Sequence, residues 1–148
     1  MPGRFPFHPY SHQTPVRVFY GDTDKMGVAY YANYLRWFEM ARNEYMRNIG
    51  YSYARLESEG LALPVVDVGC RYRKPARYDD ELTLESWIAG KSAVRVRFEY
   101  RIWNAAHASA ITEGFTVHAS LNLQGRPTRL PAGFLDLLTV PSASSTAS

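Results

Sequence analysis

Asn33-Tyr34-Leu35-Arg36-Trp37-Phe38-Glu39-Met40-Ala41-Arg42-Asn43-Glu44-Tyr45-Met46-Arg47-Asn48-Ile49-Gly50 is the stretch that decides the fold. Tyr34, Phe38, Ala41, Tyr45 and Ile49 recur at spacings of three and four, which lays one apolar stripe along a helix. Arg36, Glu39, Asn43 and Arg47 fall on the other side. Gly50 suits the C′ position, where the chain must turn left-handed to leave a helix. The pattern predicts a helix over 33–49, about 26 Å long, enough to cross a whole sheet.

Working outward, Val16, Val18 and Tyr20 alternate with Arg17 and Phe19, as in a strand with one buried face. After a weaker helical stretch near 53–59, the rest of the chain reads as strands. Val66, Val68, Cys70 and Tyr72 alternate with Asp67, Gly69, Arg71 and Arg73. Leu82, Leu84 and Ile88 mark the next strand. Val94, Val96, Phe98, Tyr100 and Ile102 alternate with Arg95, Arg97, Glu99 and Arg101, and Ile111, Phe115, Val117 and Leu121 mark the last. The connections at 75–80, 90–91 and 104–107 are short, which argues for antiparallel pairing. One long helix and one sheet, each with a single apolar face, must cover one another. The expected class is α+β, a curved antiparallel sheet wrapped around a central helix. Residues 1–13 are expected to be an extended or disordered arm, 14–138 the folded domain, and 139–148 a disordered tail.

With 148 residues, 46% hydrophobic, the chain has material for one real core. Its single cysteine, Cys70, excludes an internal disulfide and any zinc site built on cysteine pairs. The net charge of +3 comes without a polybasic run, which gives no nucleic-acid signal. No apolar run approaches the ~18 residues that span a bilayer, and no signal-like apolar segment opens the chain. A soluble, cytoplasmic protein is expected.

The chemistry concentrates in Tyr20-Gly21-Asp22-Thr23-Asp24-Lys25-Met26-Gly27-Val28-Ala29-Tyr30-Tyr31-Ala32-Asn33-Tyr34. Two carboxylates sit two residues apart in a glycine-flanked loop that feeds the start of the long helix. A helix N-terminus offers unpaired N–H groups and partial positive charge, which can hold an oxyanion. A nearby carboxylate can attack a carbonyl or activate water. Asp22 and Asp24 also fit plain turn and capping roles, and the residues alone leave both readings open. His107 and His118 lack paired ligands, so no metal site is expected.

The segment resembles the signature of the 4-hydroxybenzoyl-CoA thioesterase family of hotdog-fold enzymes, which includes the Tol-Pal-associated acyl-CoA thioesterases. The matching residues are Asp22-Thr23-Asp24, Gly27-Val28, Tyr30, Asn33-Tyr34 and Phe38-Glu39-Met40-Ala41-Arg42, with Pro75-Ala76-Arg77-Tyr78-Asp79-Asp80-Glu81-Leu82 downstream. The resemblance implies a five-stranded sheet around one helix, homodimers that pair into homotetramers, and an active site at the dimer interface. It implies acyl-CoA thioester hydrolysis with Asp24 as the catalytic carboxylate and the Tyr31 backbone amide polarising the carbonyl. Gly27, Val28, Lys91 and Ser92 are the implied substrate-binding residues. No cofactor is implied, coenzyme A being part of the substrate. Many bacterial members carry histidine where this chain has Tyr31, a departure that leaves an amide role intact. An acyl-ACP thioesterase and a non-catalytic acyl-binding or scaffold protein are the alternatives.

Overall fold

The structure, a computed structural model, describes residues 5–107 and 109–141. Its elements are β1 (His12–Arg17), α1 (Asn33–Asn48), α2 (Tyr53–Ser58), β2 (Val65–Tyr72), β3 (Glu81–Lys91), β4 (Arg95–Asn104), β5 (Ala110–Ala119) and α3 (Ala132–Leu135). The strands form one antiparallel sheet in the order β1-β3-β4-β5-β2. The α+β hotdog architecture expected from the sequence is the one observed.

The long helix ends as the sequence predicts. Gly50 takes φ +84°, and the N–H groups of Gly50 and Tyr51 close back on the carbonyls of Arg47 and Met46. Its buried face is wider than the expected stripe: Trp37 and Met46 are buried beside Tyr34, Phe38, Ala41 and Tyr45. A curled sheet surrounds more of the helix than a flat one would. Leu82, Leu84 and Ile88 of β3 and Val96, Phe98, Tyr100 and Ile102 of β4 complete the core. The Phe38 and Tyr100 rings stack at 4.4 Å. Gly114 of β5 makes that approach possible, because a Cβ there would lie 2.5 Å from the Phe38 ring and 2.6 Å from the Gly69 carbonyl.

Differences from the sequence reading fall at the chain ends. β1 starts at His12 and stops at Arg17, and Tyr20 is 78% exposed rather than the buried end of a strand. Residues 20–22 form a 3-10 turn, which diverts the chain. The helix α3 was not foreseen. It buries Phe134 against Tyr51. Phe5 and Phe7 of the N-terminal arm lie against Trp103, and His8 stacks on Trp87, on the sheet face opposite α1. Residues 1–4 of the expected arm and 142–148 of the expected tail lie outside the described residues.

The two sheet edges differ. β1 carries Pro15, which has no N–H to donate and suits an edge. β2 is long and apolar: Val65, Val66 and Val68 are each about half exposed. Such an uncovered edge offers a row of unpaired backbone groups to another strand.

Candidate active site

The loop between β1 and α1 is built around Asp22. Its Oδ2 accepts from the Phe19 N–H at 2.9 Å, and its Oδ1 pairs with Arg36 Nη2 of α1 at 2.7 Å. The Asp22 carbonyl accepts from the Tyr30 N–H and from Asn33 Nδ2, each at 2.8 Å. Both carboxylate oxygens are thus engaged by the protein, which suits a short, buried side chain at a turn.

Asp24 is exposed and, among the described residues, engaged on one oxygen. Its Oδ1 accepts from the Met26 N–H at 2.8 Å, an Asx turn. Its backbone closes the same turn, donating to the Val28 carbonyl and accepting from the Gly27 N–H. Gly27 adopts φ +79°, a conformation that costs other residues about 1 kcal/mol or more. Gly27 and Val28 therefore shape the turn that presents Asp24. Val28 also bridges to Arg77, and the Ala29 N–H donates to the Ala76 carbonyl, so the 75–80 motif is stitched to the loop.

The start of α1 has no side-chain cap. The N–H groups of Asn33, Tyr34 and Leu35 donate to the carbonyls of Tyr30, Tyr31 and Ala32. Among the described residues, none accepts from the Tyr31 N–H. A cavity of about 290 Å³ opens beside it, lined by Ala29, Tyr31, Tyr34, Tyr72, Lys74 and Pro75. Burial pushes the phenols of Tyr34 and Tyr72 up, so both remain proton donors across ordinary pH. An unpaired N–H at a helix start, an aromatic-walled cavity and a carboxylate on the preceding turn supply the parts of an acyl-transfer site.

Lys91 and Ser92 stand elsewhere. They lie at the far end of β3 from Glu81, about 30 Å along the strand, so one protomer does not bring them to the Asp24 loop. Lys91 Nζ donates to the carbonyls of Leu135 and Leu138 at 2.6 and 3.0 Å, pinning the C-terminal segment. Ser92 Oγ accepts from the N–H groups of Val94 and Arg95. Both residues line a cavity of about 410 Å³ with Asp67, Arg95 and Arg97. Arg95 makes no ion pair among the described residues.

A family comparison decides the kinship: the model of the thioesterase-like superfamily matches residues 18–138. The chain belongs to that superfamily. Thioester hydrolysis is its enzymatic class, as the two sequence motifs led one to expect. Within the superfamily, the acyl-CoA thioester hydrolase YbgC of Escherichia coli is 40% identical over 91 residues, which covers 62% of this chain and 68% of that protein. The acyl-CoA thioesterase YbgC of Haemophilus influenzae is 39% identical over 89 residues, covering 60% and 65%. A DHNA-CoA thioesterase structure from Staphylococcus aureus superposes with a TM-score of 0.80 at 34% identity, covering 86% of this chain and 85% of that one. The superfamily match begins at Val18, so the N-terminal arm and all of β1 lie outside it.

Proposed function

We propose that this thioesterase hydrolyses an acyl-CoA to a free acid and coenzyme A, with Asp24 as the reactive carboxylate and the Tyr31 N–H as the carbonyl-polarising donor. The observation that carries the reading is the unpaired Tyr31 N–H at an uncapped helix start, next to a cavity and just past the Asp24 turn. The thioester oxygen gains charge as the carbonyl is attacked, and a fixed N–H with the helix dipole behind it stabilises that charge. Asp24 either attacks the carbonyl carbon, forming an anhydride that water opens, or takes a proton from the attacking water. In both routes the C–S bond breaks, the sulfur leaves as thiolate and takes up a proton, and the oxygen of water ends in the acid. Gly27 and Val28 shape the turn along which the acyl thioester would lie. Coenzyme A enters as part of the substrate, and no other cofactor is invoked.

The proposal includes a homodimer. Antiparallel pairing of two β2 edges would set the Tyr72 end of one strand beside the Val65 end of the other. The register of β2 on β5 and β5 on β4 places Val65 at the Arg95 end of the sheet and Tyr72 at the Asn104 end. The Asp24 loop of one copy would then face the Lys91, Ser92 and Arg95 end of its partner. Cations there suit the phosphates of coenzyme A, with Arg95 the freer of them. Pairing of dimers into a homotetramer and a cytoplasmic location belong to the same proposal; the unpaired thiol of Cys70 suits a reducing compartment. Among the described residues, no helix is long and apolar enough to cross a membrane.

The test is hydrolysis of short, long and aromatic acyl-CoAs, read with a thiol reagent, by wild type and Asp24→Asn. Loss of at least a hundredfold in kcat by the variant is expected. Turnover by Asp24→Asn near the wild-type rate overturns the assignment. Hydrolysis of an acyl carrier protein thioester with none of acyl-CoA overturns the substrate class.

A further inference from the structure

We infer that Tyr72 is a positioning residue for the Tyr31 amide: its hydroxyl reaches in from the edge strand β2 and fixes the backbone from which that N–H projects. The inference rests on the oxyanion-binding role proposed for Tyr31.

The geometry is specific. Tyr72 Oη donates to the Tyr31 carbonyl at 3.1 Å across a sequence separation of 41 residues. The turn that carries the amide is held at three other points. The Tyr30 N–H donates to the Asp22 carbonyl at 2.8 Å, the Tyr30 carbonyl accepts from the Asn33 N–H at 2.9 Å, and the Tyr31 carbonyl accepts from the Tyr34 N–H at 3.2 Å. The first of these bonds ties the turn to its own loop, and the other two lie within the first helical turn. Among the described residues, Tyr72 is the one hydrogen-bond anchor of Tyr31 supplied by the sheet. Without it, the Tyr31 carbonyl keeps, among the described residues, the long bond from Tyr34.

The ring is fixed as well as the hydroxyl. It stands edge-to-face on Tyr34 at 5.0 Å and on Tyr31 at 6.5 Å. Tyr34 is itself buried and accepts from the Ala76 N–H at 3.0 Å, so the surface Tyr72 leans on does not move freely. Burial, with the neighbouring Cys70 thiol, keeps the Tyr72 phenol protonated and therefore a donor. An N–H aimed at a developing oxyanion acts only while its direction is fixed, and displacements on the order of 1 Å can cost a hundredfold in rate. Tyr72 also sits on the strand proposed to pair with a second copy. The same side chain therefore links the assembly edge to the amide that does chemistry.

Tyr72→Phe removes the hydroxyl and keeps the ring. The expected result is a fall in kcat of roughly tenfold, within the range for one lost positioning contact, with KM within about twofold, the same particle mass and the same melting temperature. The loss should be alike for short, long and aromatic acyl-CoAs, because the amide serves the carbonyl common to all. Wild-type kcat in Tyr72→Phe overturns the inference. So does a loss that appears only in Tyr72→Leu, which would assign the effect to the ring, or a loss that varies with the acyl group, which would make Tyr72 a reader of the acyl chain. Asp24→Asn in the same assay separates the two levels. A dead Asp24→Asn with a fully active Tyr72→Phe overturns the Tyr72 role alone, whereas an active Asp24→Asn takes down the site reading and this inference with it.

Discussion

Oδ1 of Asp22 lies 2.7 Å from Nη2 of Arg36, and that contact ties the loop before α1 to the first turn of the helix it feeds. The carboxylate of Asp24, two residues on, accepts a single Asx bond among the described residues. The two carboxylates therefore divide the work: one holds the loop and the other is presented by it.

That division is measurable. Asp22→Ala strands the Phe19 N–H and the Arg36 guanidinium. Because Arg36 is half exposed, the expected cost is about 2 kcal/mol rather than the larger cost of a fully buried pair. Asp24→Ala loses one exposed bond and should stay within about 1 kcal/mol of wild type. Urea unfolding of the two variants checks the contrast. Equal stability losses would refute it.

A second prediction concerns pH. His118 is fully buried, with Nδ1 2.8 Å from the Leu63 carbonyl and Nε2 2.8 Å from Thr116 Oγ1. A carbonyl only accepts, so Nδ1 carries the proton and Nε2 accepts from Thr116. The Thr116 hydroxyl in turn accepts from Tyr100 at 2.6 Å, and Tyr100 accepts from Arg42 at 3.2 Å. Each donor in this chain points toward the neutral imidazole. Burial, with the Arg42 charge second, lowers the His118 pKa from 6.5 to about 4. The folded state thus resists protonation while the unfolded chain accepts it. This stabilisation is whole above pH 6.5 and is lost as pH falls toward about 4, at most about 3 kcal/mol. Urea midpoints from pH 7.5 to 4 should fall more steeply for wild type than for His118→Gln. Parallel curves would show that His118 does not set the slope.

Much of this was legible in the chain, and the exceptions share a cause. The helix was readable because Tyr34, Phe38, Ala41 and Tyr45 report burial through local spacing, and β4 because its alternation is regular. The candidate loop stood out because glycine, aspartate and a helix start lie within fifteen consecutive positions, 20–34. Tyr72 was read only as an inward strand residue, since its bond to Tyr31 spans 41 residues. Lys91 is an implied substrate-binding residue, and nothing near it in sequence announces its bonds to the carbonyls of Leu135 and Leu138, which α3 brings back 44 and 47 residues later. Tyr20 looked buried by alternation, but the 3-10 turn held by Asp22 ended the strand first. Tertiary contacts of long sequence separation leave no periodic trace.

A third prediction tests the close approach at Gly114. Gly114→Ala places a Cβ 2.5 Å from the Phe38 ring and 2.6 Å from the Gly69 carbonyl, one of them backbone that cannot step aside. The expected cost is about 3 kcal/mol, at the upper end for overpacking. Gly133→Ala in α3 meets nothing within 4 Å and should be neutral or slightly stabilising, since alanine restricts the unfolded chain. Thermal unfolding of the pair separates crowding from a general intolerance of alanine.

The last prediction concerns the arm that precedes the superfamily match. Phe5 stacks on Trp103 at 4.9 Å and His8 on Trp87 at 4.6 Å. Beneath them Glu85 is fully buried, accepting from Trp103 Nε1 and Arg101 Nε at 2.9 Å each and from the His8 N–H. This carboxylate is on the sheet face away from α1, so the arm, not the helix, shields it from water. Removing residues 1–10 should expose Trp87 and Trp103, shift tryptophan emission to longer wavelength and lower the unfolding midpoint. Thioester turnover per folded molecule should survive, because among the described residues Asp24, Tyr31 and Tyr72, the residues proposed for the site, share no hydrogen bond or ring contact with the arm. Glu85→Gln in the full-length chain separates the two contributions: it weakens the pairing with Arg101 but keeps the aromatic cover, so its emission should stay near wild type while its midpoint falls. An unchanged emission spectrum on truncation would show that the arm does not cover the tryptophans in solution.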